Sequence, residues 1–141
     1  MNPLKIPDSL MQQIAAHGER TYPEECCGVM LGREIGGERL VEEVSEIDNT
    51  QENNRQRRFL VTAAQYRNAE RHASEQKKEL LGFYHSHPDH PAIPSAFDTE
   101  HALPWFSYVI VSVEKGKPGR ATSWVLMEDR TRFLEQPLMY Q

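Results

Sequence analysis

Three prolines, Pro88, Pro91 and Pro94, set the tightest limit on what this chain can build. A proline ring fixes φ and removes a backbone donor, so no helix or central strand runs through this stretch. Leu80 to His87 therefore reads as an extended segment that stops at the prolines. Ser95 then stands where an N-cap serine opens a short helix, Ser95 to Ala102. A strand end and a helix start are thus joined by a stiff connector, which reduces the freedom lost when groups on the two come together.

The rest of the chain supplies elements around this unit. Leu10, Met11, Ile14 and Ala15 recur at helical spacing, with Pro7 and Asp8 at the start and Gly18 as a C-cap, predicting a helix over Pro7 to His17. Cys26 to Gly32 is short, apolar and bounded by Pro23 and Gly32, which suits a buried strand. Gly36-Gly37 marks a turn into Leu40 to Ile47, a strand with one wet face. Asp48 to Arg58 is the most polar stretch and reads as a solvated loop, followed by a short strand at Phe59-Leu60-Val61.

Thr62 can cap a helix running to about Lys78, with Tyr66, Ala69 and Ala73 on one face. Tyr108 to Val113 is the strongest strand. Pro118-Gly119 reads as the turn to its hairpin partner, Ala121 to Met127, and Phe133 to Tyr140 as a last short strand. Five to seven strands in runs, with two or three helices, predict an α+β domain. Its curved mixed β-sheet is flanked by helices and is not doubly wound.

Length and charge narrow the function classes. The 141 residues suit one domain, 1–141, able to bury about two-thirds of its unfolded surface. Sixteen Lys+Arg against twenty-one Asp+Glu give −5, which argues against a general nucleic-acid binder. No apolar run approaches the ~20 residues of a membrane span, and Met1 to Leu10 lacks the apolar core of a secretory signal. The two cysteines, Cys26 and Cys27, are adjacent and cannot form a framework of loop-closing disulfides. A reducing compartment, the cytoplasm, is the expectation.

The chemistry converges on the proline unit. On a strand, His85 and His87 project to one face while Tyr84 and Ser86 project to the other. Two imidazoles on one face suit zinc. Ser95 and Asp98 are three apart, so at a helix start they share a face, and Asp98 can supply an oxygen ligand. Three protein ligands leave a fourth tetrahedral position open, which marks a catalytic zinc. A bare Ser-x-x-Asp can also be only a helix start.

Among the other histidines, His17, His72 and His101 read as structural, and His90 is near enough to contact the site. No His-Glu-x-x-His, Pro-Cys-x-x-Cys or Cys-x-x-Cys occurs, so those other zinc signatures are absent.

His85-x-His87-Pro88, six residues, then Ser95-x-x-Asp98 resembles the JAMM motif of MPN-domain zinc metalloproteases. The segment Tyr22-Pro23-Glu24-Glu25-Cys26-Cys27-Gly28-Val29-Met30-Leu31-Gly32 resembles the family's first core strand, with Glu25 in the place of its glutamate. The resemblance covers the whole chain and implies an MPN/JAMM, cytidine-deaminase-like fold. It implies His85, His87 and Asp98 as zinc ligands, Glu25 as general base and Ser95 as hydrogen-bond partner of the oxyanion. Glu24 is the alternative to Glu25. Alternation gives the two opposite faces, so one of them enters the site.

Deubiquitinating relatives carry insertions for which this chain has little room. Its compactness is similar to stand-alone prokaryotic members, which are linked to ubiquitin-like sulfur-carrier proteins. The implied activity is hydrolysis of a peptide or isopeptide bond after a carrier's C-terminal Gly-Gly. Two alternatives stand beside it: a non-catalytic, zinc-stabilised module that binds a ubiquitin-like protein, and a zinc hydrolase of small amides. An extended tail could pair with a sheet edge near Asp48 to Arg58, whose Arg55, Arg57 and Arg58 either meet an acidic carrier or are merely solvated. Cys26 and Cys27 read as small apolar residues of a core strand, with Cys27 on the face of Glu25.

Overall fold

The computed structural model describes residues 1–48 and 61–140. The chain runs β1 (Leu4–Ile6), α1 (Asp8–Thr21), β2 (Cys27–Ile35), β3 (Glu38–Ile47), α2 (Ala63–Glu75) and β4 (Glu79–Pro88). It continues through α3 (Ala96–His101), β5 (Ser107–Glu114), β6 (Lys117–Leu126), β7 (Phe133–Gln136) and β8 (Leu138–Tyr140). The strands form one mixed sheet in the order β7-β6-β5-β4-β2-β3-β1-β8. β4 and β5 are parallel, as are β1 with β3 and β1 with β8; β2, β3 and β4 pair antiparallel, as do β5, β6 and β7. This is the expected α+β architecture with a curved mixed sheet.

Alternation on the central strands creates two cores. Tyr84 of β4, Cys26 and Met30, and Val109, Val111 and Val113 of β5 pack with Met11 and Ile14 of α1. On the other face, Val29, Leu31, Phe83 and Tyr108 pack with Ala69 and Ala73 of α2. The two alanines let α2 approach closely, while the Tyr66 ring meets Phe106 edge-on at 5.8 Å. Thr62 caps α2 as expected, in a reciprocal capping box with Gln65. His85 and His87 point toward the α2 face, as period-two alternation requires.

Several boundaries differ from the sequence reading. The first helix continues past His17, through Gly18, to Thr21. Gly18 is an interior packing position and not a C-cap, since an added Cβ would lie 3.0 Å from Val113 Cγ2. α2 stops at Glu75, short of Lys78. Lys77 takes φ 57°, and the Lys77 and Lys78 amides donate to the Ser74 and Ala73 carbonyls. That is a Schellman motif with lysine where glycine is usual.

Strand β2 starts at Cys27 and extends to Ile35. The β5–β6 turn is Lys115-Gly116, with φ of 51° and 81°, and Pro118-Gly119 lie inside β6. Positive φ at both central residues is the hairpin geometry that matches strand twist.

The tail does not form one strand. Pro137 divides it into β7, on β6, and β8, on β1, at opposite ends of the strand order. With β1, too short to show periodicity, this brings the strands among the described residues to eight, above the expected five to seven. The edges are tied where they meet: Leu4 N donates to Pro137 O at 2.9 Å. Ser107 Oγ and Ser123 Oγ donate to Gln136 Oε1 at 2.8 and 2.9 Å.

The strand expected from Phe59, the polar loop beyond Asp48, and Arg55, Arg57 and Arg58 lie outside the described residues. No helix among the described residues is long and apolar enough to cross a membrane.

Candidate metal centre

β4 and α3 bring three ligand groups to one point. His85 and His87 sit at the end of β4, paired in register with Ile110 and Ser112 of β5. Asp98 lies in the first turn of α3, three residues from its N-cap Ser95. His85 Nε2 and His87 Nε2 are 3.2 Å apart. Asp98 Oδ2 lies 3.3 Å from the first and 3.2 Å from the second. All three residues are buried.

Second contacts fix how each group points. His87 Nδ1 lies 2.8 Å from Pro91 O. A carbonyl only accepts, so Nδ1 carries a proton, and Nε2 is the nitrogen turned toward Asp98. Ser95 N donates to Asp98 Oδ2 at 2.8 Å, and Asp98 N donates to Ser95 Oγ at 3.1 Å. Ser95 is thus an N-cap, and the same capping box aims Asp98.

The set fits a zinc ion. Ligands about 2.0–2.1 Å from a tetrahedral centre stand about 3.3 Å from one another, the size of the observed triangle. Two imidazole nitrogens and a carboxylate oxygen converging in a buried place also suit a cation between them. Burial opposes the charge of Asp98, but His85, His87 and the Ser95 amide outweigh it and hold its carboxyl well below the usual range. Burial also lowers the pKa of His85, against the pull of Asp98. A neutral imidazole is the form that binds metal.

Glu25 joins this face. Cys27 pairs with His85, and Ser86 N donates to Cys26 O at 3.2 Å. The same register carried back places Glu25 beside His87. Its side chain is buried, whereas Glu24 is exposed. Burial first, then the charge of Asp98, pushes the Glu25 carboxyl up to about 9. Of the adjacent glutamates, Glu25 is the one turned inward.

Both thiols are buried and held toward the protonated form. Burial pushes Cys26 to about 11 and Cys27 to about 12, and both are free cysteines. Cys27 Sγ donates to Ile47 O at 3.4 Å. His90 is exposed and meets the site only through its backbone, its amide reaching His87 O at 3.4 Å.

His17 is buried within α1, with its Nδ1 2.7 Å from Tyr84 Oη. His72 Nε2 pairs with Glu43 Oε2 at 2.7 Å. His101 ends α3 and stacks on Phe97, ring centroids 4.0 Å apart.

A cavity of about 320 Å³ opens beside the ligands, with His85 and Asp98 in its wall and Tyr66, Phe83, Phe97 and Leu103 among its apolar lining. The sequence reading missed it. Its residues come from α2 and the residues just before it, from β4, α3 and the following turn, and from Tyr108 of β5, and the signal in the sequence was the aromatic content of those separate stretches.

With this geometry established, the comparisons with known proteins become informative. Residues 7–127 match the family described as prokaryotic homologs of the JAB domain. A Thermus thermophilus protein named a probable TtuB-protein conjugate cleaving protease is 31% identical over 111 residues, 79% of this chain and 71% of that protein. A solution structure from Desulfitobacterium hafniense superposes with TM-score 0.85 at 29% identity, covering 98% of this chain and 92% of that one. One from Salinibacter ruber gives 0.75 at 42% identity, covering 97% and 91%. The chain belongs to the prokaryotic branch of the JAB domain family.

Proposed function

We propose that this protein is a JAMM-type zinc metallopeptidase. Its substrate is a peptide or isopeptide bond after the C-terminal Gly-Gly of a ubiquitin-like or sulfur-carrier protein. The observation that carries the reading is the buried triangle of His85, His87 and Asp98, with Glu25 on the same face. The name of the Thermus thermophilus relative, a probable protease of TtuB-protein conjugates, supports the substrate class.

Zinc held by His85, His87 and Asp98 would supply Lewis-acid activation of water and of the scissile carbonyl. Glu25 takes a proton from the attacking water and delivers it to the leaving amine. Its burial beside Asp98, which favours the protonated carboxyl, suits a group that holds a proton between the two transfers. Ser95 Oγ accepts from the Asp98 amide, which leaves its own proton to donate to the developing oxyanion. A substrate segment filling the apolar cavity beside the ligands would exclude water from that side and strengthen these interactions.

The deciding experiment is intact-mass analysis of ubiquitin-like carriers with extended tails, incubated with zinc-loaded protein. Shortening to the Gly-Gly terminus is expected, and Glu25→Gln should abolish it. Carriers that bind and are never shortened would overturn the reading in favour of a binding module. Turnover of acylated amino acids alone would overturn it in favour of a small-amide hydrolase.

A further inference from the structure

Asp89 follows the His87-Pro88 pair and adopts φ 57°, the left-handed region that non-glycine residues occupy only at a cost. Its contacts show where that cost is returned. Tyr22 Oη donates to Asp89 Oδ2 at 2.7 Å, and Lys115 N donates to Asp89 Oδ1 at 2.7 Å. The Asp89 amide donates to Val113 O at 2.8 Å. One residue therefore binds three segments: the stretch before β2 that carries Glu25, the end of β4 that carries His87, and the β5–β6 turn. The Tyr22 ring lies against that turn, since a Cβ on Gly116 would be 3.7 Å from Tyr22 Cδ1.

The loop beyond Asp89 is laced to the sheet. Ser112 Oγ donates to His90 O and Thr122 Oγ1 to Ala92 O, both at 2.6 Å. Between them, the Pro91 carbonyl receives His87 Nδ1. Each of three consecutive carbonyls is taken by a different strand, so the placement of this loop sets the orientation of the His87 imidazole. Asp89 is where the lace reaches the Glu25 segment.

Asp89 is exposed, and both of its side-chain bonds lie at the surface, where they join segments of the chain instead of filling a core. The return for its left-handed backbone is geometric: the spacing between the segment of the proposed base and the loop of a metal ligand.

We propose that Asp89 is a positioning residue of the metal centre, acting through Tyr22 on the Glu25 segment and through the laced proline loop on His87. This rests on the metallopeptidase reading for its activity arm only.

The test compares the full chain with Asp89→Gly, Asp89→Asn and Tyr22→Phe. Cobalt(II) is the probe, its visible absorption followed against a competing chelator, alongside the Tm of metal-free protein. Asp89→Gly should keep or raise Tm, because glycine accepts the left-handed backbone, and lose cobalt affinity by about tenfold. Tyr22→Phe should lose less, because the bond to Lys115 N remains. Asp89→Asn should restore affinity. Asparagine tolerates this φ, its carbonyl accepts from Lys115 N, and its amide donates to Tyr22 Oη.

In zinc-loaded protein, Asp89→Gly should lower kcat for tail cleavage and leave KM unchanged. Unaltered cobalt affinity in Asp89→Gly overturns the proposal, as does a loss that merely follows Tm. If Asp89→Gly does not fold, unaltered affinity in Tyr22→Phe overturns it. A wild-type protein that binds cobalt and cleaves nothing overturns the protease reading and leaves the assignment of Asp89 to the affinity data.

Discussion

His87 Nδ1 donates to the Pro91 carbonyl 2.8 Å away, and this contact decides which nitrogen of His87 faces Asp98. A ligand imidazole whose far nitrogen is held by a carbonyl has its tautomer and plane set before any metal arrives. The proline connector that limits the fold is thus also the partner that prepares the ligand.

Metal content follows from that preparation. Protein purified without chelator should carry about one zinc per chain, and His87→Ala or Asp98→Ala should carry none. Stripping the metal should lower the unfolding temperature, since an ion bound only by the folded state adds to stability by mass action. Elemental analysis and thermal melts check both.

Glu25 and Glu24 should separate cleanly. Glu25→Gln should retain zinc and lose about 10²–10⁴-fold in cleavage rate, the usual contribution of a positioned acid–base group. Glu24→Gln should be close to wild type, because Glu24 is exposed. Parallel metal analysis and tail-cleavage rates distinguish loss of the base from loss of the site.

Gly28 should not tolerate a side chain. A Cβ there would run into the Tyr84 ring, whose hydroxyl is already fixed to His17. Overpacking of this kind costs about 1–3 kcal/mol, so Gly28→Ala should lower the denaturant midpoint with little change in slope. Equilibrium unfolding in urea reads both.

His17 sets a pH dependence remote from the metal ligands. Burial lowers its pKa from the ordinary 6.5, against Glu46 and with Arg20. In the window below 6.5, the unfolded chain binds a proton that the folded protein resists. The His17 contribution to stability should therefore fall as pH drops through that window and level off above it. Subtracting the urea midpoints of His17→Gln from those of the wild type between pH 7 and 5 isolates that contribution from those of Glu25 and His85.

How far the sequence could be read follows physical lines. The convergence of His85, His87 and Asp98 was legible because two histidines two apart on a strand must share a face, and a serine three before an aspartate is a helix start that aims both. The α2 face of Tyr66, Ala69 and Ala73 was legible for the same kind of reason. Gly18, Lys77 and Pro118 misled because each looked like, or failed to look like, a boundary in isolation.

The packing of Gly18 against Val113, the Schellman bonds at Lys77 and the hairpin geometry at Lys115 depend on partners or backbone angles that local composition does not display. The cavity and the Asp89 contacts were invisible for the same reason, since Tyr22 and Asp89 are far apart in the chain. Glu25 needed the family resemblance, and its burial distinguishes it from its neighbour.

Pro137 sits between the two strands that end the sheet order. The last residues of the chain therefore supply both ends of the strand order, β7 on β6 and β8 on β1. The free rims of an open sheet invite pairing with any unfolded neighbour. Ending the sheet in strands of four and three residues leaves such a neighbour little rim to pair with.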